Sequence, residues 1–191
     1  MLANRFRNTI VGQFFGHTHN DEFEVIPSLL KNQGPAGVLN VAPSLTTYSN
    51  KNPSFRVIEF DSVTKKMVNI HQYRLPLYKY NNSTAKPTFE KAYSMKEEYG
   101  LPDLSSKSFQ VIAESLKNST SFTQKFYANF MSQYSFQAKN CGQSCQQNLY
   151  CKLTNDVLDD YVKCLDQTNA VAFGMQLMEN LSGNWLIKVD N

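Results

Sequence analysis

Two histidines one residue apart, His17 and His19, stand in Phe14-Phe15-Gly16-His17-Thr18-His19-Asn20-Asp21-Glu22-Phe23, directly after the apolar run TIVGQFF. Imidazole is a common metal ligand. Side chains at i and i+2 of an extended segment point the same way, so both rings can face one cavity, each binding a different ion of a close pair. Gly16 is read as letting the backbone approach closely without a Cβ. Two imidazoles do not complete a catalytic metal site. A catalytic zinc takes three protein ligands plus water, and a two-ion site takes more, including a bridging carboxylate. No D-x-H, G-D-x-x-D or G-N-H occurs in the chain, so most of a metal site is expected to be missing from it. The adjacent acids Asp21 and Glu22 are assigned to holding the histidine loop or to its rim. The third histidine, His71, has no partner in sequence and is assigned a structural role.

The elements that must position these histidines fall into two parts. Residues 1–80 read as strands and loops: TIVGQFF, GVLNVAP, SFRVIEFD and MVNIHQYRL are β-rich runs broken by Gly34-Pro35, Asn40 and Asn52-Pro53. In SFRVIEFD, Phe55, Val57 and Glu59 share one side and Arg56, Ile58 and Phe60 the other, a mixed pattern that suits a strand covered on both faces. Lys65-Lys66 is the turn into MVNIHQYRL, expected to be the last strand. Beyond Pro87 the period becomes helical. A helix is expected to start at Pro87-Thr88-Phe89-Glu90 and stop at Gly100, ahead of Pro102. Ser105 or Ser106 caps the next, with Phe109, Ile112, Ala113 and Leu116 on one face, and Phe122, Phe126, Tyr127 and Phe130 stripe a third, read as core. Two shorter helices are expected near 143–152 and 155–166. The fold class is α+β, with a strand-based part over 1–80 and a helical part over 81–191, whose tail from 167 is left unassigned.

The chain has 191 residues, 41% of them hydrophobic, enough to bury a sizeable core. A net charge of +3, from 19 basic and 16 acidic residues evenly spread, argues against nucleic acid as a partner. No run reaches the roughly 18 apolar residues of a membrane span. The N-terminal run is short and leads into the histidines rather than a small-residue cleavage site, so no signal peptide is expected in this chain.

The four cysteines, Cys141, Cys145, Cys151 and Cys164, all fall within 24 residues. An even, clustered set suggests two disulfides rather than a metal knuckle or free thiols, because only one close pair exists and its spacing is four. Disulfides imply an oxidising compartment. Sequons at Asn81, Asn82, Asn118 and Asn180 agree with a secretory or lysosomal setting, whereas Asn52-Pro53-Ser54 is excluded by its proline. Asn82, Asn118 and Asn180 are the expected glycosylation positions.

The residues also carry a family resemblance. GQFFGHTHNDEFEV resembles the last metal-ligand motif of the calcineurin-like metallophosphoesterase superfamily, in the form found in acid sphingomyelinases. VAPSLTTYSNKNPSFRVIEFD, PTFEKAYSMKEEYGLPDL and the order C-x3-C-x5-C-x12-C continue it to about residue 165; IPSLLKNQGPAG departs from the family's loop. The resemblance is to the C-terminal part of such an enzyme only. It implies the closing strands of an incomplete metallophosphoesterase β-sandwich followed by a helical subdomain. It implies a two-zinc phosphodiesterase, lysosomal or extracellular, that cleaves sphingomyelin to ceramide and phosphocholine. By position, His17 would ligate one zinc ion and His19 the other, Tyr48 would line the substrate pocket, and the cysteines would pair Cys141–Cys145 and Cys151–Cys164. The partners implied are sphingomyelin or a membrane surface, and a separate N-terminal half where this chain is made alone. The family's saposin-like domain and its remaining ligand motifs have no counterpart here, so the lone chain is expected to be inactive. The other expectations are a related phosphodiesterase acting on nucleotides or other phosphoesters, and a non-catalytic interaction fragment.

Overall fold

The computed structural model describes residues 2–48, 50–133 and 140–166. Helix α1 (Leu2–Arg5) precedes strands β1 (Gln13–Phe15), β2 (Glu22–Ile26) and β3 (Gly37–Val41), which form one three-stranded sheet in the order β1-β3-β2. Strand β1 runs parallel to β3, and β2 runs antiparallel to it. A second sheet takes β4 (Ser54–Phe60), β5 (Met67–Arg74) and β6 (Glu90–Ser94), antiparallel and in that order. Helices α2 (Met95–Tyr99), α3 (Ser106–Asn118), α4 (Thr120–Phe130), α5 (Gln143–Thr154) and α6 (Leu158–Asp166) complete an α+β fold, as expected from the sequence.

The core forms where the helices meet the sheets. Phe109, Ile112, Ala113 and Leu116 of α3 are buried as one face, together with Phe126 and Phe130 of α4 and Leu149 and Leu153 of α5. Phe23 of β2 projects into this layer, edge-on to Phe109 at 4.9 Å and to Phe126 at 6.0 Å. Of the two candidate caps, Ser105 holds α3: its hydroxyl accepts the Ser108 N–H. Cys141–Cys145 and Cys151–Cys164 are both bonded, in the pairing the resemblance implies. The second ties α5 to α6, and Gln124 exchanges hydrogen bonds with the Cys141 backbone to hold the start of α5 against α4.

Several expectations are corrected. The stretch from Pro87 to Gly100 is not one helix. Glu90–Ser94 pairs with β5, and only Met95–Tyr99 is helical, ended by Gly100 at φ 64°. The free hydrogen-bonding edge of β5 outweighs the helix preference of this charged stretch, so MVNIHQYRL is not the last strand. TIVGQFF contributes only Gln13–Phe15, because residues 6–10 close a turn, with the Ile10 N–H bonded to Phe6 O. Strand β4 is not covered along both faces: Ile58 packs on the core, but on this edge strand Val57 on the opposite side and Phe60 at its end lie exposed. The expected tail and Asn180 lie outside the described residues.

Candidate functional site

The histidine loop, residues 16–20, is fastened at both ends. At its start, the Ala42 N–H donates to Phe15 O at 2.8 Å, in line with the β1–β3 pairing. At its end, the Asp21 N–H donates to Phe130 O at the close of α4, at 3.2 Å. The Asp21 carboxylate lies 2.5 Å from the Arg56 guanidinium of β4 and accepts the Tyr93 hydroxyl of β6 at 2.6 Å. This acid is buried, and burial raises its pKa while Arg56 and Tyr93 pull it back down. Burial likewise drives the Tyr93 hydroxyl well above its ordinary value. Glu22, with a fully buried side chain, has Lys152 Nζ of α5 2.5 Å from its Oε2, though neither carboxylate oxygen makes a well-directed hydrogen bond. Asp21 therefore anchors the loop, as assigned from sequence, and Glu22 ties the sheet to the helices rather than sitting at a rim.

His17 and His19 are not on an extended segment. After Phe15 the chain turns, and both residues take left-handed backbone values, φ 89° and 61°. Non-glycine residues adopt this region only where surroundings hold them there. The i, i+2 argument therefore does not apply to them, and Gly16 faces open space rather than a close neighbour. His17 is exposed; His19 is half-buried, and its ring stands edge-on to Tyr48, 5.9 Å between centroids at 79°. Nδ1 of His19 is shut off from water with no hydrogen-bond partner. A buried ring nitrogen without a partner is unfavourable unless a ligand satisfies it. The donor chemistry thus fits part of a zinc site. Among the described residues, however, no group of three or more His, Cys, Asp or Glu side chains is placed to hold an ion.

Tyr48 reaches His19 from the loop between β3 and β4, which carries further contacts. Lys51 is buried, at 4% exposure, and donates to the Asn20 side-chain oxygen. Burial draws its pKa down to about 8 against the opposing charge of Glu22. Asn52 fixes the base of this loop: its amide donates to Ser132 O and Gln133 O, and its oxygen accepts the Leu77 N–H. His71 has the structural setting expected, with Nδ1 2.8 Å from Ser94 Oγ and Nε2 3.1 Å from Glu59. Asn82 lies exposed in the loop after the second sheet's central strand, and Asn118 lies exposed at the end of α3. Sequence reasoning missed Lys51, Arg56, Tyr93 and Lys152. Only Arg56 carried a signal, as a charge on the Ile58 side of an alternating strand.

Residues 35–171 match the family described as the acid sphingomyelin phosphodiesterase C-terminal region, and the chain belongs to it. It is 32% identical over 163 residues to "Sphingomyelin phosphodiesterase A" of Dictyostelium discoideum, covering 85% of this chain. It is 36% identical over 157 residues to "Sphingomyelin phosphodiesterase 1" of Caenorhabditis elegans, covering 80% of this chain. It is also 30% identical to the "Cyclic GMP-AMP phosphodiesterase SMPDL3A" of Rattus norvegicus, over 86% of this chain and 38% of that protein. Either sphingomyelin phosphodiesterase is matched over 27% of its own length.

Proposed function

We propose that this chain supplies the histidine loop of a zinc-dependent sphingomyelin phosphodiesterase, with His17 on one ion and His19 on the other. The observation that carries this is the unpartnered, buried Nδ1 of His19 beside Tyr48, on a loop tied down at both ends. Bound zinc would supply a Lewis acid and an activated water for attack on phosphorus. The chain's own residues do the positioning. Asp21, gripped by Arg56 and Tyr93, fixes where the loop ends, and Tyr48 gives one aromatic wall for a choline-bearing headgroup, whose cation an aromatic face attracts. The two imidazoles leave each ion short of ligands, so the remaining donors, and with them hydrolysis, come from outside this chain. That donor set is a preceding segment or a separate N-terminal half. The disulfides favour an oxidising setting, in keeping with a lysosomal or extracellular protein, with exposed Asn82 and Asn118 open to glycosylation.

The second reading, a phosphodiesterase for nucleotides, rests on the similarity to the cyclic GMP-AMP phosphodiesterase. Hydrolysis of sphingomyelin and of a dinucleotide, with zinc at acidic pH, separates the two. The expected result is no turnover by the 191-residue chain, and sphingomyelin cleavage by a longer protein containing it, abolished by His17→Ala or His19→Ala. Turnover by the chain alone, or indifference to both histidines, would overturn the proposal, and a preference for the dinucleotide would favour the second reading.

A further inference from the structure

Between its two fastened ends, the histidine loop is met by two side chains of the β3–β4 loop: Tyr48 against His19, and Lys51 against Asn20. Lys51 occupies an unusual place. A lysine ammonium at 4% exposure has given up most of its hydration, which is unfavourable unless its surroundings compensate. Asn20 Oδ1 accepts a hydrogen bond from its ammonium, and Asn20 follows His19 in the chain. On its other side Lys51 adjoins Asn52, which is locked to Ser132, Gln133 and Leu77. A rigid base, a lysine strut and the histidine loop therefore follow one another in direct contact. Tyr48 rides three residues before the strut, and the Lys51 N–H reaches back to Thr47 O at 3.5 Å.

We propose that Lys51 is a positioning residue that, through Asn20, locks the Tyr48 loop onto the histidine loop and so fixes His19 and Tyr48 as one ligand-facing pair. The inference deepens the zinc phosphodiesterase reading and, for its metal arm, rests on it. The Asp21–Arg56–Tyr93 cluster does different work: it holds the loop's far end, and its hydrogen bonds tie Asp21 to β4 and β6. Without the strut, His19 keeps its chain position but loses its fixed angle to Tyr48. Removing a partner that orients a metal ligand typically lowers metal affinity about 10- to 100-fold.

The test follows the His17 and His19 ring protons by NMR in the whole chain, first without metal and then through a zinc titration. The variants are Lys51→Met, Asn20→Ala, their combination, and Tyr48→Ala as a reference for the lost ring. In Lys51→Met without metal, the His19 ring signals should move toward their positions in Tyr48→Ala while those of His17 stay. Zinc affinity at His19 should fall about 10-fold, and the combined variant should be no worse than either single one. Unchanged His19 signals and affinity in both single variants would overturn the proposal. Should Lys51→Met fail to fold, Asn20→Ala breaks the same bond from its half-buried side and decides alone. If the parent chain's histidines ignore zinc altogether, the zinc reading falls, and the metal-free His19 signals still judge Lys51.

Discussion

The helical half and the sheet half of this chain solve the same problem to different degrees. From α3 to α5 the apolar faces close on one another: Phe109, Ile112, Leu116, Leu149 and Leu153 are buried, and two disulfides cross-link the segment around them. On the sheet side, Phe14 and Phe15 of β1 and Val57 and Phe60 of β4 remain exposed, with Phe14 resting edge-on against Phe60 at 6.1 Å. The sheet side buries apolar residues too, among them Phe23, Val25, Val38 and Ile70, but beside them it also buries charge, in Asp21–Arg56, Glu22–Lys152 and Lys51. The contrast shows where stability and chemistry sit: the helices stabilise the fold, and the sheets hold a loop in a backbone conformation it would not take unaided.

The contrast can be broken most severely in the core. Phe109→Ala should destabilise the chain by about 4 kcal/mol in urea unfolding, whereas Phe14→Ala should stay within about 0.5 kcal/mol. Similar losses from both would mean that β1 is as well packed as α3. Next comes Arg56→Met, which leaves Asp21 buried without its charge partner and should cost about 3 kcal/mol. Asp21→Asn with Arg56→Met should restore part of that loss, because the orphaned charge is gone. Replacing Cys151 and Cys164 together by serine should cost about 2–3 kcal/mol through the freed unfolded chain, and Cys141 with Cys145 less, because it closes a shorter loop.

Two pH effects sharpen the same comparison. Lys51 titrates at about 8 in the fold against 10.5 for an ordinary lysine, because burial disfavours its charge. Between those values the unfolded chain holds a proton that the folded chain has released, so stability rises with pH across that window. Lys51→Met should remove the rise, seen as urea midpoints from pH 7.5 to 10.5. The smallest effect belongs to the helical side. Asp103 accepts from the Ser108 hydroxyl at 2.6 Å and the Ser105 N–H at 2.9 Å, which hold its pKa near 2. Its contribution is present above about 4 and lost as pH falls toward 2, and solvent screening keeps it small. Asp103→Asn should flatten that limb.

The helical half was the more legible in sequence. A 3.6-residue stripe fixes which face of α3 is buried whatever it packs on, and Ser105 before it marks the start. The four cysteines were legible as two disulfides, and only the family resemblance implied the pairing that the structure has. The sheet half was harder because its pairing is non-local. Nothing in EKAYS announces that β5 has a free edge, and EFEVI carries too many acids to read as a buried strand until Lys152 is in place beside Glu22. The histidines were legible as chemistry and misread as geometry, since a left-handed turn at His17 and His19 depends on anchors as distant as Arg56 and Tyr93. Lys51 left no trace, being one polar residue in a polar loop.

Zinc binding measured by calorimetry on the chain, with and without His17→Ala plus His19→Ala, bears most directly on the histidine loop as the metal-carrying element. The expected result is binding weaker than that of a complete four-ligand site and lost in the doubly substituted chain, with the fold intact by circular dichroism. Tight binding that survives removal of both histidines would contradict it.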